Sequence, residues 1–83
     1  MAAVEQLIDA VERSNEYAVR DEDDRNRRLE ELRAGRSLLS TKGGAGVGVL
    51  AAVLTYLAIK FSDGIIGGLA DLAFENLLRL VGS

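Results

Sequence analysis

Apolar residues recur at helical spacing in three separate stretches, and each stretch has a different character. In the first, Val4, Leu7, Ile8 and Val11 form a stripe at intervals of three and four, which Leu29 and Leu32 resume after a polar middle. This predicts a charged helix over residues 1–35, with Gly35 as its C-cap and Arg33 and Arg36 complementing the C-terminal dipole. Read as heptads, Val4, Val11, Ala18, Arg25, Leu32 and Leu39 face Leu7, Ser14, Asp21, Arg28 and Gly35. That seam is too poor for a strong zipper. Residues 36–43 then serve as a joint.

The second stretch runs from Gly43 to Ile59 without a charge, between Lys42 and Lys60. Seventeen residues at about 1.5 Å each make a helix of roughly 26 Å, at the low end of what spans a bilayer core. Lysines at both ends can snorkel to extend it. Gly44, Gly48, Ala51, Thr55, Ala58 and Ser62 recur along one face as a stripe of small residues, opposite Val47, Leu50, Leu54, Leu57 and Phe61. The division suits a transmembrane-type helix from about Gly44 to Phe61, its small face admitting another backbone and its large face meeting lipid. A core helix of a soluble assembly has the same composition, so that alternative stands beside it.

Phe61-Ser-Asp-Gly64 predicts a break, and residues 64–81 a second, amphipathic helix. Gly64, Gly68, Asp71, Glu75, Arg79 and Gly82 share about a quarter of its wheel, and apolar residues take most of the rest. Such a helix lies in the membrane interface, pairs with its neighbour as a hairpin, or turns its polar strip toward a lumen shared by several copies. The fold class expected is therefore all-α: residues 1–35 a charged exposed helix, 36–43 a joint, and 44–83 an apolar two-helix membrane or assembly segment.

Charge and composition sharpen this division. Residues 1–42 carry ten acids and eight bases, whereas the remainder carries Asp63, Asp71 and Glu75 against Lys60 and Arg79. Eight of the nine glycines lie in the apolar part. There is no cysteine and no histidine among the 83 residues, so the usual zinc, iron-sulfur and haem ligand sets and any Ser-His or Cys-His nucleophile pair are excluded. No enzymatic activity, cofactor, metal or small-molecule substrate is expected. A chain this short, without a disulfide, gains little from a core of its own and is expected to lean on a partner, a copy of itself or a bilayer.

Ser40-Thr-Lys-Gly-Gly-Ala-Gly-Val-Gly48 resembles the phosphate loop of the ParA and MinD ATPases in Lys42, Gly43, Gly44 and Gly46. Val47 stands where the phosphate-binding lysine belongs and Gly48 where the magnesium-ligating hydroxyl belongs, so nucleotide binding is not expected. The glycines read instead as packing surface, Gly44-xxx-Gly48 being echoed by Gly64-xxx-Gly68. Arg25, Arg27, Arg28, Arg33, Arg36 and Lys42 are candidates for headgroup or partner contact, which the positive-inside rule places on the cytoplasmic side or the equivalent face of a virion membrane. Interspersed acids argue against nucleic acid. Two apolar glycine-striped helices and a membrane carboxylate are also found in rotary ATPase proteolipids, but the arginine-containing polar loop of that family is missing here. Filamentous phage coat proteins likewise share the order of acidic segment and small-residue helix, yet end in a basic tail where this chain ends in Leu78-Arg-Leu-Val-Gly-Ser83. In organisation the chain is similar to small phage lysis proteins. The expectation is a non-enzymatic membrane protein that assembles with itself or a larger membrane or virion complex, holin-like or pore-forming, with a structural scaffold component as the alternative.

Overall fold

In a computed structural model, which describes residues 2–82, the chain forms four helices: α1 (Ala2–Arg13), α2 (Asn15–Thr41), α3 (Gly43–Lys60) and α4 (Ile65–Gly82). They pack in a ring, α1 on α2, α2 on α3, α3 on α4 and α4 back on α1, while the diagonal pairs make no contact. This is the arrangement of a short four-helix bundle. It measures 38 × 22 × 18 Å.

The expected single helix over residues 1–35 is two. Ser14 takes an extended backbone, φ −73° and ψ 103°, and its Oγ accepts the Tyr17 N–H at 3.1 Å, so it caps a new helix rather than continuing the old one. A second bend follows at Asp21, φ −161° and ψ 82°, where Oδ1 accepts the Asp24 N–H at 3.1 Å and starts the long part of α2. Glu5 meets Arg36 and Glu12 meets Arg33, and these pairs bracket the stretch between the two breaks. The chain therefore reverses across residues 14–21, which rules out the continuous heptad seam. Val4, Leu7, Ile8 and Val11 are all buried as one face of α1, as their spacing predicts.

α2 also outruns its expected end. Gly35 is not a cap but a buried position inside the helix, where a Cβ would stand 2.7 Å from Leu50 of α3. The joint shrinks to Lys42, φ −141° and ψ 75°, whose N–H donates to Leu38 O at 2.6 Å. Immediately beyond it α3 folds back so closely that a Cβ on Gly46 would lie 2.5 Å from Leu39 N. The absent side chain is what lets the two backbones approach.

α3 and α4 fall within a residue of their expected limits, joined by the turn Phe61–Gly64. Their orientation departs from expectation. Leu50, Leu54 and Leu57 are fully buried and Val47 and Phe61 are partly buried against the core, so the large stripe meets α2 and α4 rather than lipid. The same physics that would drive that stripe into a bilayer is satisfied by removing it from water against Leu29, Leu32, Ala70, Ala73 and Leu77.

Candidate functional site

The outward surface of α3 is the small-residue side. Gly44, Ala45, Gly48, Ala52, Thr55 and Ile59 are exposed, and Ala51 and Ala58 are half-buried. A Cβ on Gly44 or Gly48 would meet nothing within 4 Å, and the same holds for Gly68. The glycines that make close contact within the chain are Gly35, Gly46 and Gly67, the last facing the Phe61 carbonyl. Of the expected helix-packing residues, Gly44, Gly48, Thr55, Gly64 and Gly68 thus lie on the outside of the bundle. Thr55 Oγ1 donates to Ala51 O at 2.7 Å, satisfying its hydroxyl within the helix and leaving no polar group reaching outward there. The result is an uncharged strip along the full length of α3, which is long and apolar enough to cross a membrane.

Asp71, Glu75 and Arg79 are exposed on α4 and make no ion pair among the described residues. Asp71 rims a shallow groove between α3 and α4 that is otherwise lined by Leu54, Thr55, Ala58, Ile59 and Phe74. The structure thus places the carboxylate end of the polar strip beside the small-residue face, a juxtaposition of two features that lie apart in sequence. Leu72, Leu78 and Val81 flank the strip, exposed.

The candidate headgroup cations are mostly engaged inside the fold. Arg36 binds Glu5 at 2.8 Å, Arg33 binds Glu12, and Arg25 donates to Glu12 O at 3.3 Å. Arg28 Nε lies 2.9 Å from Glu31 Oε1, and its guanidinium carbon sits 4.4 Å from the centre of the Tyr56 ring. Arg27 and Lys42 remain exposed, without an ion pair among the described residues. The Lys42–Gly48 segment that resembles a phosphate loop is no loop: it is the tight corner and first turn of α3.

Sequence reasoning missed the densest polar constellation, which ties α2 to α3. Asp24 accepts from the Tyr17 hydroxyl, from the Tyr56 hydroxyl at 3.0 Å to each oxygen, and from Lys60 Nζ at 3.0 Å. Tyr17 is fully buried and its ring packs against Phe61, centroids 4.7 Å apart. Burial alone would push the Asp24 carboxyl up, but the hydrogen bonds from Tyr17, Lys60 and Tyr56 and the lysine charge outweigh it and hold the group at about 2. The Tyr17 hydroxyl is pushed well above the usual phenol range, by burial first and then by the hydrogen bond to Asp24. The signal available in the sequence was Tyr17, the lone aromatic residue of an otherwise polar stretch.

No family model, no curated protein and no solved structure matches this chain.

Proposed function

We propose that the protein is a non-enzymatic, bilayer-associated helical protein that assembles with its own copies, holin-like in action, through the outward face of α3. The observation that carries this reading is the length of that face: Gly44, Ala45, Gly48, Ala52, Thr55 and Ile59 present no charge from one end of a span-length helix to the other. Small residues there let a second backbone approach closely, and Lys42 and Lys60 mark the two headgroup levels. In an assembly the neighbouring strip of Gly68, Asp71, Glu75 and Arg79 would face water or a partner, since ionisable groups are costly against hydrocarbon.

A scaffold component of a virion or larger complex is the second reading, and the inward turn of Leu50, Leu54 and Leu57 favours it. A closed bundle buries Leu50, Leu54 and Leu57 without lipid and leaves the small face of α3 to a neighbour. An alkaline carbonate wash of membranes from cells expressing the untagged chain, with a crosslinker in the same sample, separates the two. Retention with a ladder of self-crosslinked species supports the membrane assembly, and release into the supernatant supports the scaffold.

A further inference from the structure

Lys60 has two incompatible employments. As the distal flank of a span it belongs at headgroup level beside lipid phosphate. In the closed bundle it is bound to Asp24 Oδ2 at 3.0 Å and to the Tyr56 hydroxyl at 3.3 Å. Its counterpart at the other end of α3, Lys42, makes no ion pair among the described residues.

The cover over α3 is thin in apolar terms. α2 runs for 27 residues, yet its buried residues are Tyr17, Leu29, Leu32 and Gly35. Its attachment to α1 uses Glu5–Arg36 and Glu12–Arg33, with side chains between about two-fifths and three-fifths exposed, so salt and water weaken both. The Asp24 carboxylate, by contrast, is mostly shielded from water and gathers donors from both sides of the α2–α3 seam. The chain joins α2 to α3 only through Lys42, at the opposite end of both helices from this cluster.

We infer that Tyr17, Asp24, Tyr56 and Lys60 form a latch on the closed bundle, and that an anionic lipid surface opens it by taking Lys60 from Asp24, uncovering α3 for the bilayer. The inference rests on the membrane reading above and adds its regulation. Phosphate offers Lys60 the same charge-assisted hydrogen bond that Asp24 does, so the exchange replaces one anion by another. Once Lys60 leaves, Asp24 loses the nearer of its two cations, Arg28 Nε remaining 3.9 Å from Oδ1 within α2 itself, and only Tyr17, Leu29, Leu32 and Gly35 of α2 are buried to hold it in place.

The test is flotation with vesicles of phosphatidylglycerol or of phosphatidylcholine, using the full chain and reading the lipid concentration at half-binding. Asp24→Asn is expected to lower that concentration about tenfold on phosphatidylglycerol, the factor that corresponds to one charge-assisted bond. Tyr56→Phe, which keeps the ring under Arg28 and removes one donor, shifts it the same way by a smaller factor. Asp23→Asn changes the net charge equally at an exposed neighbour and leaves binding as in the wild type. Adding Lys60→Gln to Asp24→Asn removes most of the preference for the anionic vesicles. Circular dichroism establishes that each variant is helical. If the wild type floats but Asp24→Asn and Tyr56→Phe, both helical, float no better, the latch is wrong and the membrane reading stands. If neither wild type nor any variant floats with either lipid, the membrane reading fails and the latch with it.

Discussion

Lys60 Nζ stands 3.0 Å from Asp24 Oδ2 although 36 positions separate the two residues in the chain. That contact closes the seam between a helix two-thirds made of charged and polar residues and one that carries no charge until its last residue. It is made at the end of the bundle where Ser14 and Asp21 turn the chain back on itself, so one carboxylate fastens the crossing segment, α2 and α3 together. The polar cluster adds to the register that the close approaches at Gly35 against Leu50 and Gly46 against Leu39 already set between α2 and α3.

The acid limb of stability follows from Asp24. Its folded pKa is lowered to about 2 from an ordinary 3.8, so its contribution is fully present above pH 4 and is lost as pH falls through 2. The shift corresponds to about 2 kcal/mol. Urea titrations at pH 7, 4 and 2 are expected to show the wild type losing that increment and Asp24→Asn, weaker at pH 7, losing little further. For Tyr17 the sign reverses: a phenol raised above its ordinary value supports the fold below pH 10 and withdraws that support as pH climbs beyond it. Tyr17→Phe is expected to flatten the alkaline limb and, by removing one of the hydrogen bonds that hold Asp24 low, to shrink the acid one.

Ser14→Ala removes the acceptor for the Tyr17 N–H while leaving a residue that favours continuation of α1. A loss of about 1 kcal/mol is expected, the usual worth of such a cap. Thermal melts read it directly. Ser14→Asp, which supplies an equivalent acceptor, should restore the midpoint, and a melt in which alanine and aspartate behave alike would mean that the cap contributes nothing.

Leu54 and Ile59 lie five residues apart on α3 and answer opposite questions. Leu54 is fully buried, and Leu54→Ala is expected to cost about 2–5 kcal/mol of bundle stability, with the cavity as the cause. Ile59 is 74% exposed, and Ile59→Ala is expected to stay within about 0.5 kcal/mol in detergent-free buffer. Chemical denaturation of the pair tests the inward orientation of the large stripe. Equal losses would place both residues on contact surfaces and would contradict the closed ring.

Much of this architecture was legible in the chain because local pattern determines it. The stripe of Val4, Leu7, Ile8 and Val11, the uncharged run bounded by two lysines and the Phe61–Gly64 break each carry their own signal at short range. The reversal at Ser14 was obscured because Leu29 and Leu32 happen to resume the periodicity of α1 after it. Facing direction was not legible at all, since small and large stripes on α3 look the same whether the large one meets lipid or Leu32 and Leu77. The Asp24 cluster was hidden for a different reason. Tyr17, Asp24, Tyr56 and Lys60 acquire a shared role only when two helices are docked, and spacing along one helix gives no hint of a partner on the other. The polar strip of Asp71, Glu75 and Arg79 was readable as a face, and its three side chains are exposed without an ion pair among the described residues.

The glycines divide into two groups, and that division separates folding from assembly. A methyl group on Gly46 would press into the backbone of Leu38 and Leu39, and one on Gly67 into the Phe61 carbonyl, so Gly46→Ala and Gly67→Ala are expected to lower the thermal midpoint of the isolated chain. Neither clash is with a flexible side chain that could step aside. On Gly48 a methyl meets nothing within 4 Å, and alanine is the better helix former by about 0.8–1 kcal/mol, so Gly48→Ala should raise the midpoint. If copies pack through the outward face of α3, the same substitution interferes with the close approach that glycine permits and weakens the crosslinked ladder. Gly48→Leu should abolish the ladder while the chain stays helical. The informative result is therefore opposite movement of two measurements on one variant, a higher melting temperature with less self-association. A higher melting temperature with an unchanged ladder for both Gly48→Ala and Gly48→Leu would remove this face from the assembly, and the contact would have to be sought along α4 at Leu72 and Leu78.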